Sequence, residues 1–272
     1  MDILEALAAE SDQIGLSALS ERVDLHTATV HRLLSTLTAR GYARHDARSG
    51  QYAPGPQLLT ISLAALGARW RDVVREAHPL LRQLASTWGE TASLVVGEEQ
   101  VAFCIDQVGG RRSRLTSMQV GTRVPLCCTA CGKALLAHRS AAVLDRYLAV
   151  EGFASDTSRA LTLPAALRHE LACIREQGFA VDRGEPAHES CCVAVPILDH
   201  DNRAHVAIGL CCAASRFTSQ YQRQLTQALL SVADDLSARL YGLVPCSMRR
   251  GPARIHDRTI RAPGADVAHR RI

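Results

Sequence analysis

Residues 16–42 read LSALSERVDLHTATVHRLLSTLTARGY, and the spacing of their apolar positions decides the fold of the N-terminal region. Leu16, Leu19 and Val23 recur at a helical period, with Ser17 placed as the cap. Asp24–His26 make a brief turn. A second helix follows over about residues 27–39, because Val30, Leu33, Leu34 and Leu37 recur at spacings of three, four and seven. That period turns one apolar face inward and leaves His26, Thr27, Thr29, His31, Arg32, Ser35 and Thr36 outside. Gly41 ends the helix, since glycine takes the left-handed conformation that closes a helix at no steric cost.

Outward from this stretch, DILEALAAE (2–10) carries Ile3, Leu4, Leu7 and Ala8 at a helical period. On the other side, YARHDARSGQY (42–52) places two strand-like pieces around a polar Ser-Gly turn. Three helices and a hairpin in about fifty residues are the plan of a winged helix-turn-helix. In that plan the third helix enters the major groove and presents side chains to base edges. The charge is split to suit: residues 1–30 sum to −5 and residues 31–52 to +3. Thr27, Thr29, His31 and Arg32 are the expected contacts to bases or phosphate, and Arg44 and Arg48 in the wing the expected backbone contacts. On this pattern alone, a three-helix module that binds protein remains the alternative.

Pro54-Gly55-Pro56 punctuates the boundary. Leu58, Leu59, Ile61 and Leu66 begin a connecting helix, which Gly67 breaks before a helical stretch at 70–87. Strands are then expected at 91–96, 101–106 and 114–118. Helices follow at 129–138, 141–148 and 163–177, and strands at 179–182, 191–198 and 205–213. A last amphipathic helix covers about 218–240. Strands grouped at both ends of a helical middle give an α+β sheet domain, not an alternating parallel one. Four regions result: a DNA-binding domain at 1–54, a connecting helix at 55–78, a ligand-binding sheet domain at 79–242 and a disordered Arg-rich tail at 243–272.

The chain has 272 residues, 47% hydrophobic and 21% charged, the composition of a soluble globular protein. No apolar run reaches the length of a membrane span, and no secretory leader is legible, so membrane partners are not expected and a cytoplasmic location is. The net charge of +4 is misleading, because residues 243–272 sum to +5 and leave −1 for the rest. Ten cysteines in a long chain without an export signal are expected to be reduced thiols.

Three separated motifs carry a family resemblance. Residues 16–42, with Thr29-Val30-His31-Arg32-Leu33-Leu34 and Arg40-Gly41-Tyr42, resemble the helix-turn-helix of IclR-type bacterial transcriptional regulators. Tyr52-Ala53-Pro54-Gly55 is similar to that family's exit from the wing. Gly121–Ala137 (GTRVPLCCTACGKALLA) and Gly178–Pro196 (GFAVDRGEPAHESCCVAVP) resemble its two effector-domain signatures. The resemblance implies a repressor that binds double-stranded operator DNA as a homodimer or homotetramer. It also implies a GAF-like domain that binds a small organic acid or aromatic effector. By motif, the effector positions map onto Val124, Ala130, Cys131, Asp182, Cys192, Gly209 and Cys211. The sequence departs from the pattern at Glu189, where the family has Gly, and at Gly209 and Cys211, where hydroxyl side chains are frequent. Met1 falls inside the family's first helix, so that helix is expected to be shortened or to start upstream.

Other chemistry is weaker. Thr129-Ala130-Cys131-Gly132-Lys133 runs a polar turn into a helix, a small anion site with Lys133 as an added charge or as a structural partner. Cys128-x-x-Cys131 has metal-like spacing but no second such motif, so buried thiols are expected, and neither a metal nor a cofactor. A redox- or metal-sensing module acting through protein contacts is the alternative reading. Catalysis is not expected: the His-x-Glu of a zinc deaminase is absent, and His188 near Cys191 in sequence does not make a nucleophile–base pair.

Overall fold

Residues 1–54 build a helix-turn-helix with a small sheet around one core. In the computed structural model, which describes residues 1–10, 13–98, 100–113, 118–149 and 164–243, the elements are α1 (Asp2–Ala9), β1 (Ile14–Gly15), α2 (Leu16–Arg22), α3 (Thr27–Ala39), β2 (Ala43–Asp46) and β3 (Gln51–Pro54). Ile3, Leu7, Ile14, Leu19, Val30, Leu34, Ala43 and Tyr52 form its core. The expected helices and hairpin are present, with two corrections. Gly15, not Ser17, is the N-cap of α2, with no side-chain cap hydrogen bond. Leu33 is 40% exposed, so the apolar face of α3 is narrower than its spacing suggests: Val30 and Leu34 are buried and Leu37 half-buried.

The turn before α3 is held locally. Asp24 takes a positive φ of 51°, and the Ser20 hydroxyl donates to the Leu25 carbonyl. At the far end of α3 the Gly41 amide donates to Thr38 (3.0 Å) and the Tyr42 amide to Leu37 (2.8 Å). With Gly41 at φ 76°, this is the paired closing motif that satisfies the last carbonyls of a helix. The wing is antiparallel, with His45 opposite Tyr52 and Asp46 opposite Gln51. β1 adds a third strand outside β3, which the sequence reading did not include because two residues carry no period.

The chain divides into two compact units, Met1–Asp72 and Val73–Ile272. Helix α4 (Gln57–Trp88) has non-helical backbone at Gly67, where φ is 56° and ψ 178°. This is a conformation that glycine alone takes readily, at the residue read as a break.

The second unit adds β4 (Thr91–Glu98), β5 (Val101–Val108), α5 (Ala130–Ala137), α6 (Ala141–Ala149), α7 (Pro164–Gln177), β6 (Ala180–Asp182), β7 (Ser190–Leu198), β8 (Ala204–Ala213) and α8 (Ser219–Tyr241). The five strands form one antiparallel sheet in the order β5-β4-β8-β7-β6. Side chains alternate across it. Cys192, Ala194, Gly209 and Ala207 face α5, while Val193, Val195, Ile208 and Leu210, all fully buried, face the side on which α8 packs. Helices on both faces of an antiparallel sheet are the α+β arrangement expected. The strand expected at 114–118 and the tail lie almost wholly outside the described residues.

Candidate functional site

Two groups of residues carry chemistry, one in each unit. In the first unit, Thr27, His31 and Arg32 lie exposed on α3, and Arg44 and Arg48 lie exposed in the wing. Thr29 is half-buried. Not every candidate is free to face a ligand, since the Thr27 hydroxyl is 3.3 Å from that of Ser20, within the turn. His26 caps α3 by accepting the Ala28 amide at its Nδ1 (3.3 Å). The wing tip is built on Asp46, whose carboxylate accepts the Arg48 amide (2.9 Å) and the Ser49 hydroxyl (3.0 Å). These hydrogen bonds hold the Asp46 carboxyl below its ordinary range and fix the backbone that presents Arg48.

In the second unit, the sheet and α5 bring most of the remaining candidates together. Cys192 pairs directly with Asp182 on one side and with Cys211 on the other; two positions along, Ala194 pairs with Gly209. The Cys131 sulfur sits against Gly209, 2.7 Å from where a Cβ on that residue would stand. Gly132 lets the segment at 125–129 fold tightly against the start of α5: a Cβ there would lie 2.6 Å from the Thr129 hydroxyl and 2.7 Å from the Leu126 Cα. Thr129 caps the helix by accepting the Gly132 amide (3.0 Å) and donates to the Pro125 carbonyl (2.6 Å). Val124 and Ala130 belong to the same apolar cluster as Cys131 and Ala194.

The electrostatics of this site are acidic. Asp182 is 1% exposed, and its Oδ1 accepts the amides of Gly184 (2.9 Å) and Glu185 (2.7 Å). Burial nevertheless pushes its carboxyl up to about 6. Of the two roles the sequence leaves open for Lys133, an added charge for an anion or a structural partner, the structure supports the second. It is fully buried, and its ammonium donates to Glu170 (2.6 Å) and Glu185 (2.5 Å). Burial acts to lower the Lys133 pKa, but the two carboxylates outweigh it and hold the pKa above the lysine range. Burial pushes Glu185 up to about 7 against the pull of Lys133.

The thiols are mostly unavailable. Burial drives Cys131 and Cys104 above the ordinary thiol range; neighbouring groups add to it at Cys131, and a backbone hydrogen bond at Asp106 opposes it at Cys104. Among the described residues no group of three or more His, Cys, Asp or Glu is placed to hold a metal ion. His188 is exposed on a loop.

Sequence reasoning missed one cluster. Glu90, fully buried, receives Arg216 through two hydrogen bonds (2.9 and 2.6 Å) and the Tyr221 hydroxyl (3.1 Å). It joins the start of the sheet to the start of α8, and no local signal marks partners more than 120 positions apart.

Comparison with known proteins follows the same division. The profile described as "IclR helix-turn-helix domain" matches residues 1–47, and the one described as "Bacterial transcriptional regulator IclR C-terminal" matches residues 67–238. The HTH-type transcriptional regulator BhcR of Paracoccus denitrificans (strain Pd 1222) is 32% identical over 245 residues, covering 90% of this chain and 86% of its own. The transcriptional repressor IclR of Escherichia coli (strain K12) is 27% identical over 245 residues, 89% of each chain. An IclR homolog from Microbacterium hydrocarbonoxydans, solved in complex with 4-hydroxybenzoate, superposes with a TM-score of 0.74 over 88% of this chain and 96% of its own, at 20% identity.

Proposed function

The chain belongs to the IclR family of bacterial transcriptional regulators, and from that premise we propose how its parts divide the work of a DNA-binding regulator. Residues 1–54 bind a roughly palindromic operator, with Thr27, Thr29, His31 and Arg32 at base edges or phosphates and Arg44 and Arg48 on the backbone. Two copies, or two pairs of copies, match the two half-sites of such an operator. Residues 55–78 connect this domain to an effector-binding domain at 79–242, and the regulator represses. Relatives carrying the word repressor in their names support that sign.

The effector is a small organic acid or aromatic compound held by Val124, Ala130, Cys131, Asp182, Cys192, Gly209 and Cys211. The supporting observation is local. Cys192 and Cys211, toward one end of the inner strands β7 and β8, keep part of their surface accessible, while Val193, Ala194 and Leu210 beside them have none. A homolog of the same fold holds 4-hydroxybenzoate. The site offers a sulfur where a family hydroxyl would stand, because Cys131 covers Gly209, and it offers no free charge from Lys133. Its walls therefore suit an aromatic ring with few polar groups better than a small, highly polar acid. The effector shifts DNA binding by no more than its difference in affinity for the two states of the regulator.

The test is Cys192→Phe, which fills the site. With 4-hydroxybenzoate and a panel of small carboxylates as probes, any thermal shift seen in the unsubstituted protein disappears while DNA affinity stays within about threefold, under 1 kcal/mol. An undiminished shift in the variant places the effector elsewhere.

A further inference from the structure

Strands β7 and β8 bring four cysteines to one pair of rungs. Cys192 lies directly opposite Cys211, and Cys191 directly opposite Cys212. Residues opposed in this way on antiparallel neighbours have Cα atoms about 4.5–5.5 Å apart. That falls inside the roughly 4.4–6.8 Å that a disulfide spans, so the backbone spacing of either pair is compatible with a bridge.

The two pairs face opposite sides of the sheet and meet different surroundings. Cys191 and Cys212 are 5% and 4% exposed. Burial and the Glu90 carboxylate hold Cys212 as a protonated thiol. Cys192 and Cys211 are each partly accessible, on the side of Cys131 and Asp182.

We propose that Cys192 and Cys211 are a two-thiol modification site, which a hydroperoxide converts to a disulfide in the wall of the effector site. The location in an effector wall rests on the function proposed above; the chemistry rests on the thiols alone. Contact with Cys211 and burial both push the Cys192 thiol well above its ordinary range; the reaction balances whichever of the two sulfurs attacks first, and Cys211 is taken first. Cys211 attacks the terminal peroxide oxygen, the O–O bond breaks, and the alcohol leaves with the Cys211 proton. Cys211 is then a sulfenic acid. The Cys192 sulfur attacks the Cys211 sulfur, the S–O bond breaks, and the hydroxyl leaves as water with the Cys192 proton. Two thiols have lost two electrons and two protons, and the peroxide has become alcohol and water. In a reducing compartment a disulfide of this kind is transient and signals oxidant, which suits a regulator.

The experiment uses the full chain carrying Cys246→Ser, which removes a thiol outside the described residues. The protein is treated with tert-butyl hydroperoxide, its remaining thiols are alkylated, and it is digested with trypsin. The expected product is the peptide at 184–203 linked to that at 204–216, lighter than their sum by about 2 Da, the two hydrogens lost on oxidation. The link persists in Cys191→Ala/Cys212→Ala. It vanishes in Cys192→Ala and, separately, in Cys211→Ser, with the circular dichroism of each variant confirming the fold. Absence of the linked peptide in the starting protein overturns the proposal. So does its persistence in Cys192→Ala, or its loss in Cys191→Ala/Cys212→Ala, either of which assigns the reaction to the buried pair. None of these readouts depends on DNA or effector binding.

Discussion

Cys131 on α5 occupies the space that a side chain on Gly209 of β8 would need: a Cβ at position 209 would lie 2.7 Å from the Cys131 sulfur and 3.3 Å from the Val193 carbonyl oxygen. The helix and the sheet can lie this close because one of the two positions has no side chain. Gly209→Ala therefore overpacks the site and costs about 1–3 kcal/mol. Adding Cys131→Ala makes room and recovers at least half of that loss, a coupling measured by urea denaturation of the two single variants and the double. Additive losses would mean that the two positions do not share this space.

Lys133 is a buried cation in the second unit, held by Glu170 and Glu185. Lys133→Met keeps the volume and removes the charge, leaving two carboxylates without their shared partner. Breaking a buried pair in this way costs about 3–5 kcal/mol, and the lower end is expected because Glu170 is 30% exposed. The measurement is the denaturation midpoint in urea. Adding Glu185→Gln to Lys133→Met should restore part of the loss.

Asp182 supplies a pH dependence whose sign follows from its burial. Its pKa rises from 3.8 to about 6, so the folded chain holds this proton more tightly than the unfolded chain does. The contribution to stability is fully present below about pH 4 and is lost as pH rises through about 6. Asp182→Asn keeps an oxygen for the Gly184 and Glu185 amides and abolishes the titration. Thermal melts between pH 4 and 7 should show a flatter profile for the variant, with a relative gain of up to about 3 kcal/mol at the high end. A profile parallel to that of the unsubstituted protein contradicts the assignment.

These residues also mark where sequence reading works and where it stops. The three N-terminal helices and the wing were legible because their signals are local: apolar residues one helical turn apart, a glycine after α3 and a Ser-Gly turn. Leu33 satisfied the same spacing and is nevertheless exposed, because a short helix packed on two small partners buries only a narrow stripe. In the second unit the motifs located Asp182, Cys192, Gly209 and Cys211, and strand register then brought them side by side. The partners of Lys133 were out of reach, since Glu170 and Glu185 lie 37 and 52 positions away. The contact between Cys131 and Gly209 was hidden for the same reason. It depends on the docking of a helix onto a sheet, which no periodicity records.

If α3 and the wing bind DNA through exposed basic side chains, as proposed, operator binding must depend on salt. DNA from upstream of the chain's own gene is titrated with the protein at several salt concentrations, alongside Arg32→Ala and Arg44→Ala. Log affinity should fall linearly with log salt. The slope should be shallower by about one for Arg44→Ala, the loss of one phosphate contact, with sequence preference unchanged. Arg32→Ala, on the face turned to the bases, should weaken binding by about 1–3 kcal/mol and relax the preference if it reads a base. Affinity and salt slope identical across all three proteins would mean that neither arginine meets the DNA.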